Sequence, residues 1–363
     1  MIERRLKLQG LGFKEEDIKI KLSKVLLAIT FTIFFFHISI AQYNFNDVSK
    51  QLEDNKRKLA GNVCTMIWKD GKIIYKKQIG NMTDDKIIPI ASCSKWLTAA
   101  LVMIFVDEKK LSLEDTIGKF LPIFSVYGKG NIKIKHCLSH TTGIESGTMN
   151  LFTVVDENNY SSPEEQVNDF AKSKKMIAVP GTEFRYSSIG LSIAARILEV
   201  INHKSFEEIF QERLAQPLEM INTSFGKNAL VSPSGGAKST ASDYMHFLVM
   251  ILNKGLYNDK RILSEGSVDA MQQPQTNLSM IKYAPKGAKD FNYACGEWIQ
   301  ETDKNGNSTV LTSPGFFGAW PYVDNTRHYA ALFFVRKFFI NEEMKALYLN
   351  IKKSIDQQID SGK

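Results

Sequence analysis

The chain has 363 residues, 44% of them hydrophobic, and its 46 basic against 39 acidic side chains leave a net charge of +7. That length can bury a large core, enough for one big domain or two lobes. The basic excess is modest and dispersed, with no lysine or arginine block interleaved with aromatics, which argues against nucleic acid as a partner. The four cysteines, Cys64, Cys93, Cys137 and Cys295, form no C-x-x-C pair, so neither a zinc site nor a dithiol motif is indicated. Their wide spacing permits disulfides without describing a disulfide framework.

In chain order, Lys19, Lys21 and Lys24 precede a mostly apolar run from Val25 to Ile40, and Ser39 and Ala41 offer the small residues of a cleavage site before Gln42. Residues 1–41 are therefore expected to be a leader and signal peptide that exports the chain to the periplasm or beyond. The alternative is an uncleaved anchor holding it to a membrane through residues 25–40, a stretch slightly short for a full span. The polar 18 residues ahead of this region make an unusually long leader. A single domain is expected over residues 42–363.

From Gly61 the pattern turns to strands: Asn62 to Trp68, then Asp70-Gly71 as a hairpin signal, then Lys72 to Gly80. Four more strand-like runs lie near the far end: Phe291 to Glu301, Ser308 to Pro314, Gly318 to Asp324 and His328 to Arg336. A helical pattern closes the chain from Asn341 to Gln358. Strands at both ends with helical material between them predict an α+β fold in which the termini meet in one antiparallel sheet, flanked by helices and carrying a mainly helical inserted lobe. In that lobe, Ser92 to Lys109 is apolar nearly all round and so is expected to be buried on most sides. Further helices are expected over residues 187–203, 205–215 and 239–255, the last closed by Gly255.

Ser92 and Lys95 stand at the mouth of that buried helix. A serine hydroxyl is a weak nucleophile until a base removes its proton, and a lysine is a base only when neutral, a form that burial favours. Three residues apart, the two side chains share a helix face. A serine at a helix N-terminus also meets unpaired N–H groups suited to an oxyanion. The tetrad Ser-x-x-Lys occurs three times, at Ser92/Lys95, Ser224/Lys227 and Ser279/Lys282, and only the first opens a buried-type helix. The bland alternative makes Ser92 a helix cap and Lys95 a snorkelling surface residue.

Three other stretches weigh against the bland alternative: "PGTEFRYSS" ending at Ser188, "HCLSHTTGI" around His140, and "TSPGFFGAWPYVD" containing Ser313, Pro314 and Gly315. Together with "PLEMINTSFG" and "GGAKSTASDYMHFLVMILNKG" they resemble the serine β-lactamase and penicillin-binding-protein superfamily, in its class C β-lactamase, esterase and D-aminopeptidase branch. The resemblance covers nearly all of residues 60 to 340. It implies that Ser92 is the acylated nucleophile, Lys95 its proton acceptor, and Tyr186 the tyrosine of the family's Tyr-x-Asn motif, a proton shuttle. Tyrosine ionises near pH 10, so it becomes a base only if positive charge favours its phenolate, and Lys95 is placed to supply that charge.

Two departures from the family pattern matter. Ser188 stands where the family has asparagine, a shorter group able to bond Lys95 but reaching less far toward a substrate carbonyl. Ser313-Pro314-Gly315 stands for Lys-Thr-Gly or His-x-Gly, losing the cation or imidazole that would hold a β-lactam carboxylate. The resemblance also implies an oxyanion hole from the backbone N–H groups of Ser92 and Phe316, with Gly315 beside it and with Ser188 and Ser313 facing the substrate. No metal or organic cofactor is required.

Rival features receive simpler readings. His136 and His140 lack a third ligand and a zincin glutamate, so a structural loop is expected. Cys93 points about 100° away from Ser92, toward packing. Phe316, Phe317, Trp320 and Tyr322 are candidates for cleft lining, or for core on one strand face. Ser239 and Asp243 are expected to cap the helix that follows. Two functions remain: a serine hydrolase of a small ester, amide or peptide, with esterase or D-amino-acid peptidase or carboxypeptidase action favoured over efficient β-lactamase action, or a non-turnover penicillin-binding-like receptor or inactive scaffold.

Overall fold

The computed structural model describes residues 43–147, 160–228, 230–337 and 342–362. The leader and the apolar run expected within residues 1–41 lie outside these. Among the described residues no helix is long and apolar enough to cross a membrane. Residues Tyr43–Ser361 form one compact unit.

The strands in chain order are β1 (Val63–Lys69), β2 (Lys72–Ile79), β3 (Ile88–Pro89), β4 (Phe184–Arg185), β5 (Lys238–Ser239), β6 (Leu256–Tyr257), β7 (Lys260–Arg261), β8 (Ile281–Tyr283), β9 (Asn292–Tyr293), β10 (Trp298–Thr302), β11 (Ser308–Thr312), β12 (Trp320–Asp324) and β13 (Tyr329–Val335). Seven of them build one sheet in the order β2-β1-β13-β12-β11-β10-β9. Every pairing in it is antiparallel, and β1 lies against β13 from Val63↔Val335 to Lys69↔Tyr329. The termini thus meet as the alternating apolar runs require. The β1–β2 turn places Asp70 at φ 49° and Gly71 at φ 82°, the two left-handed positions that an Asp-Gly hairpin supplies.

The larger helices are α1 (Asn46–Asp54), α2 (Ser94–Asp107), α3 (Pro163–Ser173), α4 (Ile189–Asn202), α5 (Ala241–Leu252) and α6 (Glu265–Gln272), with α7 (Glu342–Ser361) closing the chain. Side-chain alternation sorts the sheet into two cores. Val63, Ile67, Trp320, Tyr322, Phe333 and Val335 pack with residues of α1 and α7 on one face. Cys64, Met66, Leu311, Val323, Leu332 and Phe334 pack with α2, α4 and α5 on the other. Helix α2 sits inside the second core with Ser94 to Phe105 all buried, which is why its sequence lacks a polar face.

Several expectations are sharpened. The single strand expected over Phe291 to Glu301 is two, β9 and β10, because Ala294 to Glu297 form a turn with Ala294 N–H donating to the Glu297 carbonyl (2.9 Å) and Gly296 at φ 83°. The helix expected over residues 205–215 is a short α-helical segment, Phe206–Phe210, followed by a π-helical turn, Gln211–Ala215. Gly255 ends α5 as expected, at φ 89° with its N–H on the Met250 carbonyl (2.8 Å). The cap of that helix is Thr240, whose hydroxyl accepts the Asp243 N–H at 3.0 Å. Ser239 lies one residue too early and bonds Thr223, while the Asp243 carboxylate accepts from Asn222 and Thr223. Trp320 and Tyr322 belong to the core. All four cysteines are buried and unbridged.

Candidate active site

Between β3 and α2 the chain turns sharply. Ala91, a residue with a side chain, adopts φ 47°, and a 3-10 turn over Ala91–Cys93 carries Ser92. Left-handed backbone costs a non-glycine residue about 1–2 kcal/mol, so the rest of the structure must hold this turn in place. Helix α2 proper begins at Ser94, two residues later than the sequence suggests. Ser92 and Lys95 are nonetheless aligned, because residues three apart eclipse in 3-10 geometry.

Lys95 is fully buried. Its Nζ donates to Ser92 Oγ at 3.2 Å and to the Ser234 carbonyl at 2.8 Å, and it lies 4.7 Å from the centre of the Tyr186 ring. Neither bland alternative holds, since Ser92 offers α2 no side-chain cap and Lys95 does not reach solvent. The other two tetrads have no such pairing. Ser224 bonds Glu207 at 2.7 Å, and Lys282, exposed on β8, donates to the Ser279 carbonyl at 3.3 Å.

The loop that holds Lys95 was not singled out from the sequence as part of the site. The Pro233 carbonyl accepts from Thr98 (2.6 Å), the Ala237 N–H donates to Ser94 Oγ (3.1 Å), and the Ile90 N–H donates to the Ala237 carbonyl (3.0 Å). Its one sequence signal is the turn composition Pro233-Ser234-Gly235-Gly236.

Tyr186 follows β4, which runs parallel to β8, and its N–H donates to the Tyr283 carbonyl at 3.1 Å. The phenol is buried among His140, Tyr293 and Trp298, with ring centres 4.5, 6.1 and 5.3 Å away. Burial pushes the phenol well above its ordinary range, and the neighbouring Ser92 hydroxyl and Trp298 side chain only partly offset this. Tyr186 therefore stays protonated at neutral pH. The expectation that Lys95 would favour its phenolate is corrected: loss of hydration outweighs nearby charge in so dry a site.

The remaining expected residues are placed as follows. Ser188 is half-buried at the start of α4, where its hydroxyl makes no capping bond. Ser313, expected to face substrate, is buried with its Oγ donating to the Ser92 carbonyl at 3.2 Å and to the Gly296 carbonyl at 3.4 Å. It braces the nucleophile's turn from beneath. Gly315 cannot lend its own N–H to an oxyanion, since that group donates to Ala319 O at 2.8 Å. Its contribution is bareness: a Cβ there would sit 2.3 Å from the Ile90 carbonyl. Phe316, next in the chain, is half-buried with its ring 5.5 Å from Phe317. Gly296 is a second such close approach, where a Cβ would lie 2.4 Å from Ala99 Cβ.

His136 caps its own short helix by accepting the Lys133 N–H on Nδ1, and burial holds its imidazole down at about 4. Burial, then the Lys95 charge, holds His140 well below the usual imidazole range. Among the described residues no group of three His, Cys, Asp or Glu side chains is arranged to hold a metal ion. Burial raises the Cys93 thiol, so the residue beside Ser92 is a packing group.

A serine and a buried lysine on one turn, roofed by a neutral tyrosine and set against an antiparallel sheet between helical layers, define the serine hydrolases of the β-lactamase fold. The chain belongs to the Beta-lactamase family, whose model matches residues 50–354. Among curated proteins it is similar to Protein flp of Staphylococcus aureus (strain MRSA252), 28% identical over 177 residues, 45% of this chain and 34% of that protein. The match thus spans about a third of that relative's length. Among solved structures it is similar to a candidate beta-lactamase from Bacteroides dorei DSM 17855, with 27% identity, a TM-score of 0.76, and 86% of this chain and 98% of that one covered. EstCE1, described as a hydrolase with promiscuous acyltransferase activity, shares the fold at a TM-score of 0.70 and 18% identity, with 85% of this chain and 98% of that one covered.

Proposed function

We propose that this protein hydrolyses a small ester, amide or peptide through an acyl-enzyme on Ser92. The observation that carries this reading is the buried Lys95 amine 3.2 Å from Ser92 Oγ, with Tyr186 beside both. In its neutral form Lys95 takes the Ser92 proton as Oγ adds to the substrate carbonyl carbon. The resulting oxyanion is met by the backbone N–H groups of Ser92 and Phe316. Collapse breaks the bond to the leaving alkoxide or amine, which takes a proton relayed from Lys95 through the neutral Tyr186 phenol. Water then adds to the acyl-enzyme, releasing the acid and returning the proton to Ser92.

Ser313 supplies no charge, and its hydroxyl is committed to the Ser92 and Gly296 carbonyls. A substrate carboxylate therefore loses the partner expected at this position, which favours an ester or amide substrate lacking that carboxylate over β-lactams and makes β-lactam turnover weak. A second reading, an acylated receptor or inactive scaffold, is favoured by Ser188 in place of asparagine. Incubation with p-nitrophenyl acetate separates the two. Sustained turnover that Ser92→Ala abolishes is expected, a stoichiometric burst alone would support the receptor, and full activity in Ser92→Ala would remove Ser92 as nucleophile.

Export follows from the leader, by the charge and apolar pattern of residues 19–41. N-terminal sequencing of the mature protein is expected to begin near Gln42, and an intact leader on membrane-bound protein would mean anchoring through residues 25–40 instead.

A further inference from the structure

Tyr186 is fixed by more than its strand. The three consecutive N–H groups around it each have a named acceptor, and two of the three belong to one residue, His140. The Arg185 N–H donates to the His140 carbonyl at 3.0 Å, and the Ser187 N–H donates to His140 Nδ1 at 3.4 Å. Between them, the Tyr186 N–H donates to Tyr283. The imidazole itself packs on the phenol ring at 4.5 Å and meets Phe184 edge-on at 5.7 Å.

These contacts define the imidazole's tautomer. Nδ1 faces a donor and must present its lone pair, so the proton is on Nε2, which donates to the Tyr293 hydroxyl at 3.1 Å. The groups that face the ring from other elements are Lys95 of α2, Tyr186 and Tyr293, and none of them is a carboxylate that would reward an imidazolium. A charged ring would also point an N–H at the Ser187 N–H. His140 moreover holds φ 57°, a left-handed conformation unusual for a residue with a side chain and one that turns its carbonyl and its ring toward the same strand.

We propose that His140 is the positioning residue for Tyr186: its carbonyl holds the Arg185 N–H, its neutral, Nε2-protonated imidazole holds the Ser187 N–H, and together they fix the phenol between them against Ser92 and Lys95. It adds no second positive charge beside Lys95. The inference rests on the reading of Ser92 as nucleophile and Tyr186 as relay, and the two fail in different experiments.

The test is steady-state ester hydrolysis by the purified full-length protein carrying His140→Phe, His140→Asn, His140→Gln or Tyr186→Phe, together with the His140→Phe/Tyr186→Phe double variant. Folding is checked by thermal unfolding. Phenylalanine keeps a ring but loses the Nδ1 acceptor, and kcat is expected to fall about 100-fold, with KM changed less than about threefold, the scale of a misplaced catalytic group. Asparagine puts an amide oxygen close to where Nδ1 stands and tolerates left-handed backbone, so His140→Asn is expected to recover at least about tenfold over His140→Phe. Glutamine, whose amide lies further out, is expected not to. Because His140 acts through Tyr186, His140→Phe is expected to cost less than about threefold when Tyr186 is already phenylalanine.

A folded His140→Phe variant with wild-type kcat would overturn the proposal, as would an equal loss in both Tyr186 backgrounds. If His140→Phe does not fold, equal activity of the asparagine and glutamine variants overturns it and a clear advantage of asparagine sustains it. Activity that survives Ser92→Ala would instead sink the underlying mechanism, whatever the His140 variants do.

Discussion

Lys95→Met is expected to lower the acylation rate by about 10²–10⁴-fold, the usual worth of a positioned general base, with the protein still folded. Methionine fills most of the space of the lysine stem, so the change removes the amine from Ser92 Oγ and from the Ser234 carbonyl without opening a large cavity. Leaving that carbonyl without its donor costs about 1–3 kcal/mol of stability, which a domain of this size should survive. Stopped-flow measurement of the p-nitrophenol burst reads the acylation step directly. Global unfolding of Lys95→Met, seen by circular dichroism, would make Lys95 a structural lysine and overturn its role as base.

The same chemistry sets the sign of the pH dependence. Lys95 works only when deprotonated, so kcat/KM is expected to rise from mildly acidic toward alkaline pH. The other titratable groups beside the site add no rising limb through neutrality. Tyr186 is pushed up by burial and stays protonated, and His140 is held well below the usual imidazole range and stays neutral. A profile flat from acid to alkaline pH would count against a lysine base.

Much of this site is legible in the sequence because its parts announce themselves by local pattern. Ser92 and Lys95 share a turn at the head of an apolar helix, and the alternating runs ending in β13 predict the sheet that meets β1. The illegible parts depend on contacts between distant segments. Ser234 serves through its carbonyl, an atom every residue has, so its 139-residue separation from Lys95 leaves no compositional trace. Ser313 was expected to face substrate because of its place in a motif, but a hydroxyl can turn either way, and the carbonyls of Ser92 and Gly296 turn it inward. His140 looked structural for want of metal partners. Its link to Tyr186 exists only in the folded chain, where the backbone around β4 lies beside its carbonyl and ring.

Glu297→Gln is expected to flatten the dependence of stability on pH, and Glu297→Leu to raise stability outright. Glu297 ends the tight turn between β9 and β10 with its side chain fully buried, and among the described residues neither carboxyl oxygen has a hydrogen-bond partner. Burial lifts its carboxyl well above the ordinary glutamate range, and the charge of Lys254 only partly offsets this. The folded protein thus binds a proton that the unfolded chain releases in the ordinary glutamate range. Above that range the unfolded state binds fewer protons than the native state, so stability falls as pH rises until the folded carboxyl itself ionises. Glutamine keeps the shape without the titration, and its advantage should be absent in acid and grow through neutral pH. Leucine also removes a buried unsatisfied group worth about 1–3 kcal/mol. In a domain of this size each kcal/mol moves Tm by about 1.5 °C, a shift that scanning calorimetry near pH 5, 7 and 9 resolves. Parallel curves for wild type and Glu297→Gln across that range would mean the carboxyl is solvated or paired. A widening gap would identify Glu297 as a buried acid that keeps its proton in the turn between Tyr293, the hydrogen-bond partner of His140, and Trp298, the neighbour of Tyr186.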